Sequence, residues 1–161
     1  MRLKGFPPLI TLLLISSLVL TIGRAITLPF ITIYMTEHFH LKPESVGLIL
    51  GISLAIGIVS SFYGGYLVDK FNKHHLMILS IALFAMTFCI MPWLGNVWWM
   101  VPVLALLHAA YSVFSIAIKA CFAEWLPVSE RIRGFSMNYT LVNVGWAVGP
   151  ALGVFAASYY P

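Results

Sequence analysis

The chain has 161 residues, 61% of them hydrophobic and only 9% charged, with a formal net charge of +4 and a mean hydropathy of +0.97. Soluble domains carry about 25% charged residues, so an ordinary soluble domain is excluded. The basic residues lie mostly scattered in short connections, which argues against a nucleic-acid surface and for a chain oriented in a lipid bilayer.

Five apolar segments follow one another, at 8–34, 46–68, 76–94, 97–122 and 135–159. A helix of about 20 residues covers the hydrocarbon core of a bilayer, so each predicts a membrane-spanning helix. The opening Met1-Arg2-Leu3-Lys4 has the charge of a secretory leader. The apolar run behind it is about twice the length of a leader's core, and further spans follow, so 8–34 reads as the first span. Pro29 predicts a bend there, because proline removes a backbone donor and crowds the preceding turn. Arg24 lies deep in this span. A charge at that depth costs about 2.5–3.5 kcal/mol on insertion scales, so it either stretches toward headgroups or faces a hydrated cavity. Ser17, Thr21 and Thr27 share or flank its helical face.

The second segment carries Gly47, Gly51 and Ala55 at four-residue steps, then Ser61 and Gly65, a pattern that predicts close helix packing. It runs into Gly65-Tyr66-Leu67-Val68-Asp69-Lys70-Phe71-Asn72-Lys73. A turn this short lays the second and third spans side by side and antiparallel, with charges at one membrane face. Asn72 is expected to supply a turn residue tolerant of left-handed backbone. Cys89 and Cys121 sit inside apolar runs without metal-ligand or disulfide spacing, so no metal or cofactor is expected.

The fourth segment holds His108, Ser112, Ser115 and Lys119 on one helical face, flanked by Tyr111. Lys119 lies near the end, where it either snorkels or lines a cavity. His108 lies mid-span as either a packing group or a titrating one. The fifth segment places Ser136, Tyr139, Thr140, Asn143 and Pro150 on or near one face, with Asn138 close by. These groups serve either interhelical hydrogen bonds or a polar solute. No carboxylate lies deep in any span: Asp69, Glu124, Glu130, Glu37 and Glu44 all fall at segment ends. An enzyme is not expected, since there is no nucleophile–base pair, metal spacing or phosphate loop.

Arg2, Lys4, Lys70, Lys73, Arg131 and Arg133 alternate onto one side, and only Lys42 falls on the other. The richer side is expected to be cytoplasmic, which puts the N-terminus inside and Pro161 outside. Trp98, Trp99, Tyr159 and Tyr160 then lie near the outer interface.

The turn at 65–73 resembles the loop after the second helix of the major facilitator superfamily (MFS), a family of secondary transporters; Gly65, Leu67, Asp69, Lys70 and Lys73 fit its pattern. Gly145-Trp146-Ala147-Val148-Gly149-Pro150-Ala151-Leu152-Gly153-Val154 resembles that family's fifth-helix signature, with Val154 in place of its last glycine. The resemblance implies an all-α membrane fold in which these are five helices of a six-helix half-bundle, apparently truncated. It implies a small-molecule substrate held in the bilayer and a missing second half, either absent or supplied as a separate chain. The fifth-helix signature, through Gly145, Gly149, Pro150 and Gly153, is associated in the family with antiporters and exporters. The resemblance also places Asp69, Lys70, Lys73 and Glu124 in a cytoplasmic gating cluster. The fourth segment departs from the family where it reads Leu104-Ala105-Leu106-Leu107-His108, so the usual basic group is expected at Arg24 or Lys119. Gly23-Arg24, Thr27-Leu28-Pro29-Phe30, Tyr111-Ser112-Val113-Phe114 and Asn138-Tyr139-Thr140 look like an enterobacterial branch linked to dipeptide export. The expected function is part of a proton-coupled exporter of a dipeptide or drug in the bacterial inner membrane, inactive without its second half. Arg24, His108, Tyr111, Ser112, Lys119, Asn138 and Asn143 would line the cavity. The alternative is a small non-transporting membrane protein, or a split-transporter subunit, that binds a partner chain.

Overall fold

The computed structural model describes residues 6–159, with side chains from 6 to 155. Arg2, Lys4, Tyr160, Pro161 and the Tyr159 side chain, used above for orientation, lie outside the described residues. The described residues form five long helices: α1 (Pro8–His38), α2 (Pro43–Lys70), α3 (Lys73–Ile90), α4 (Met100–Trp125) and α5 (Val128–Tyr159). Two short 3-10 turns, Met91–Trp93 and Val97–Trp99, join α3 to α4. The helical stretches Pro8–His38, Pro43–Lys70, Lys73–Trp93 and Val97–Trp125 are long and apolar enough to cross a bilayer. The fifth helix is as long, at 32 residues, but Asn138, Thr140, Asn143 and its glycines make it less apolar. This is an all-α, multi-pass membrane fold.

Each helix begins with a residue suited to the task. Pro7 offers its carbonyl to the Thr11 N–H at 3.1 Å, and Pro8 fills the first helical position, where a missing N–H is harmless. Lys42 is extended and Pro43 starts α2 in the same way. Asn72 is not left-handed, contrary to expectation: at φ −63° and ψ 117° it is the N-cap of α3, and its side chain accepts the His74 N–H at 2.9 Å. Asparagine suits that position because its short oxygen reaches an orphan amide of the first turn. Asn96 does the same for Trp98 N–H, also at 2.9 Å. Among the described residues the left-handed one is His40, at φ 51°, where the chain leaves α1.

The helices outrun their apolar runs, since a helix continues through the headgroup region until a cap stops it, whereas hydropathy marks only the hydrocarbon depth. The clearest case is α5, which starts at Val128 with the Pro127 carbonyl accepting Glu130 and Arg131 N–H groups at 2.9 and 3.2 Å. The helix α1 passes through Pro29 without interruption.

Two compact units divide the chain. The first takes α1 as far as Tyr34 and the chain from Phe122 onward; the second is Met35–Cys121. In the first unit α1 and α5 run parallel, for successive α5 glycines meet successive turns of α1: Gly145 faces Thr21, Gly149 faces Ala25, and Gly153 faces Ile26 and Phe30. In the second unit α2 and α4 are also parallel. Ser53 Oγ lies 3.3 Å from the Val101 carbonyl as donor, Gly57 faces His108, and Gly64 faces Val113 and Ile116.

That second register corrects the expected packing face of α2. Gly47, Gly51 and Gly65 have no neighbour within 4 Å of an added Cβ, and Ala55 is exposed. The buried stripe is Val46, Ile49, Ser53, Gly57, Gly64 and Val68. Small residues at helical spacing occur on two faces of α2, and only one of them meets another helix among the described residues.

Candidate functional site

In the first unit the glycine signature forms a seam. A methyl at Gly149 would lie 2.5 Å from Ala25 Cβ and 3.1 Å from the Ala25 carbonyl carbon; at Gly145 it would lie 2.9 Å from Thr21 Cγ2, and at Gly153 2.5 Å from Phe30 Cε2. The two backbones therefore touch over about two turns, the arrangement small residues permit in lipid. Pro150 has no N–H, which leaves the ladder beside the seam one bond short.

Arg24 sits at the edge of this seam. It is partly buried, and its Cζ lies 5.6 Å from the centre of the Trp146 ring, within range of a cation–π attraction. Trp146 is 38% exposed, so one side of the pair is open in this unit. Trp146 was not among the expected site residues. Its signal was present, since a large aromatic directly follows the first glycine of the signature. The hydroxyls near Arg24 bond to their own helix: Thr21 Oγ1 donates to the Ser17 carbonyl at 2.7 Å and Thr27 Oγ1 to the Gly23 carbonyl at 2.8 Å.

Two turns before Gly145, on the same α5 stripe, is Asn138. It is 8% exposed, and its Oδ1 is buried without a hydrogen-bond partner among the described residues. An orphaned amide oxygen in such a place costs about 1–3 kcal/mol, so it calls for a donor from outside the described chain. Asn143 differs. It is exposed, and its Nδ2 donates to the Tyr139 carbonyl of its own helix at 2.8 Å. The two asparagines occupy different faces of α5, and Asn143 shares the open one with Ser136 and Tyr139.

The polar stripe of α4 is divided by its surroundings. His108 is buried at 8% exposure in the seam with α2, where a side chain on Gly57 would collide with His108 Cβ. Tyr111 is half-buried, its ring 6.4 Å from that of Phe84 on α3. Ser112 is half-buried and Lys119 exposed.

At the α2–α3 turn, Asp69 and Lys70 are exposed and Lys73 is half-buried. Lys70 Nζ donates to the Tyr66 hydroxyl at 2.9 Å and lies 5.3 and 5.7 Å from the Tyr66 and Phe71 ring centres. Two of the charges are the wrong sign for their helices. Asp69 is in the last turn of α2, at the negative end of the helix dipole, and Lys73 opens α3, at the positive end. Each such placement costs about 0.3–1 kcal/mol, and local misfits of this kind collect at functional positions. Glu124 is exposed near the end of α4, in the other unit.

The α4–α5 connection is pinned by two arginines. Arg131 Nε donates to the Leu126 carbonyl at 3.1 Å, and Arg133 Cζ lies 4.6 Å from the centre of the Phe6 ring. Gly134 gives Leu126 room, since a Cβ there would come within 2.6 Å of Leu126 Cδ1.

Residues 13–161 match the Major Facilitator Superfamily. The chain belongs to that family. It is 45% identical over 141 residues to the uncharacterised MFS-type transporter YdeE of Escherichia coli K12, covering 88% of this chain and 36% of that protein. Similarity extends to a Na(+), Li(+), K(+)/H(+) antiporter of Planococcus maritimus, 23% identical with 95% and 37% of the two chains covered. It also extends to the multi-drug resistance efflux pump PmrA of Streptococcus pneumoniae, 24% identical with 86% and 36% covered. This MFS chain thus spans little more than a third of the length of these relatives.

Proposed function

We propose that the chain is part of an MFS exporter, a proton-coupled antiporter of a small solute such as a dipeptide or drug. The observation that carries this reading is the α1–α5 seam, in which Gly145, Gly149 and Gly153 bring the helices into backbone contact beside Arg24 and Trp146. A seam whose α5 side carries no side chains leaves the helix few interlocked groups to unseat when it slides or hinges, and Pro150 adds a weak point. The presence of an efflux pump and a cation/proton antiporter among the relatives supports the direction of transport. Substrate would meet Arg24 and Asn138 from the open side of the first unit. The cavity role expected of Tyr111, Ser112, Lys119 and Asn143 stands on the family resemblance.

In this reading the α2–α3 turn is cytoplasmic, the membrane is the bacterial inner membrane, and Asp69, Lys70, Lys73 and Glu124 stabilise one state of the transport cycle. The misplaced charges on α2 and α3 support that role. The test is made with the full-length protein carrying this segment, reconstituted in vesicles under an imposed pH gradient. Gradient-driven movement of ethidium or radiolabelled dialanine supports the reading. Movement of both probes that ignores the gradient rules out proton coupling.

A further inference from the structure

The end of α2 carries a lysine held in one place. Lys70 is exposed, yet its Nζ turns back one helical turn and donates to the Tyr66 hydroxyl at 2.9 Å. The same ammonium lies 5.3 Å from the Tyr66 ring centre and 5.7 Å from that of Phe71. We propose that Lys70, Tyr66 and Phe71 bind the phosphate of an anionic phospholipid whose acyl chains lie along α2. Lipid binding here is independent of the transport reading above and gives Lys70 a task beyond the charge cluster of the turn.

Depth points to a lipid. The apolar run of α2 ends at Val68, so residues 66–71 lie where hydrocarbon gives way to headgroups, the level that tyrosine favours. A lysine that only snorkels extends its ammonium into water. Lys70 instead keeps its ammonium beside the last apolar turn, at the depth of lipid phosphates. Tyr66 takes one of the three N–H donors of that ammonium, and a phosphate oxygen is a charge-assisted acceptor for another. Resting against two rings, the side chain has already given up part of the rotamer freedom that a lysine loses on binding.

The acyl chains have a surface to follow. Phe62, Tyr63 and Tyr66 are all exposed and stand three or four residues apart, on one helical face. Ile58 and Val59, also exposed, continue the strip toward the middle of the span. Tyr66 lies about 200° around the helix from the buried Gly64 and Val68, so this face turns away from α4. The charge also fits. From Asp69 to His75 the turn carries two lysines against one aspartate, a net positive charge even with His74 and His75 neutral. An anionic headgroup complements that sign, and a zwitterionic one gains less from it.

The test measures binding rather than transport. Apparent Kd values for dioleoylphosphatidylglycerol and dioleoylphosphatidylcholine are determined by native mass spectrometry of the delipidated full-length protein. The wild-type protein should bind the anionic lipid at least about five-fold more tightly than the zwitterionic one, the factor contributed by one lysine at an anionic surface. Lys70→Gln should remove that preference. Tyr66→Phe keeps the ring but releases the ammonium from its hydroxyl, and should lose part of it. Lys42→Gln, which removes an exposed cation at the other end of α2, should retain the preference in full. Equal affinity of the wild-type protein for the two lipids overturns the proposal, whether or not any variant folds. A preference that survives in Lys70→Gln, or that falls as far in Lys42→Gln, overturns it too. Displacement of the lipid by equimolar glycerol phosphate would assign the site to a free phosphate and overturn the lipid assignment.

Discussion

Gly149 lies so close to Ala25 that an added methyl would sit 2.5 Å from the alanine Cβ, far inside contact distance. The approach is between backbones as well as side chains, since the same methyl would be 3.2 Å from the Ile22 carbonyl oxygen. Gly149→Ala should therefore destabilise the protein by about 1–3 kcal/mol, the usual penalty for overpacking. Ala25→Gly should recover part of that loss in the double variant, since it removes the nearest atom and leaves the backbone contact. A double-mutant cycle on unfolding midpoints measures the coupling. Simple additivity would show that the two residues do not meet.

The seam was legible because glycines at four-residue steps around a proline have few other uses in a membrane helix. The corresponding face of α2 was not. Gly47, Gly51 and Ala55 form as regular a stripe as Ser53, Gly57 and Gly64, and lipid is as apolar as a protein interior. Hydrophobicity therefore gives no sign of which stripe turns inward. Asn72 was legible as a turn residue but not as a helix cap, because the start of α3 is polar and hydropathy places the span several residues later. The partnership of Arg24 with Trp146 was invisible for another reason: it depends on the parallel register of α1 and α5, which only tertiary structure supplies.

Asn138 offers a prediction in which stability and activity move apart. Its buried Oδ1 has no partner among the described residues, so Asn138→Leu removes a desolvation penalty of about 1–3 kcal/mol. Thermal stability of the full-length protein should rise or hold, while transport should fall at least about ten-fold if the oxygen receives a donor during the cycle, the loss expected for one hydrogen bond to substrate. A variant that transports normally would reduce Asn138 to a structural residue.

Asp69 sits at the wrong end of α2 for a carboxylate. Asp69→Asn should leave stability unchanged or raise it by about 0.3–1 kcal/mol, since the unfavourable dipole interaction goes. Transport in the full-length protein should nonetheless drop strongly. Unimpaired transport would mean that the charge at the turn serves orientation alone.

Orientation is checked by labelling. In a background with Cys89→Ser and Cys121→Ala, single cysteines replace His40 and His74, both exposed and at opposite ends of α2. A membrane-impermeant maleimide applied to intact cells should label position 40 and spare position 74, as the basic residues beside the second site require of a cytoplasmic turn. The reverse pattern inverts the topology.

Arg24 and Trp146 supply the most demanding prediction, because a charge in the span needs a reason to be there. If the guanidinium presents its edge to an anionic group while its face rests on the indole, four single variants and one double variant of the full-length protein separate the contributions. Arg24→Leu should insert as well as the parent and lose transport. Arg24→Lys should be intermediate, since lysine keeps the charge but loses the planar fork that grips a carboxylate with two bonds. Trp146→Phe keeps an aromatic face and should lose little, whereas Trp146→Leu removes a cation–π contact worth about 0.5–2 kcal/mol and should weaken transport by roughly the corresponding factor. Adding Trp146→Leu to Arg24→Leu should cost nothing further, because the indole acts through the arginine. If Arg24 merely stretches toward headgroups, all of these variants transport like the parent, and the seam carries the motion without holding the substrate.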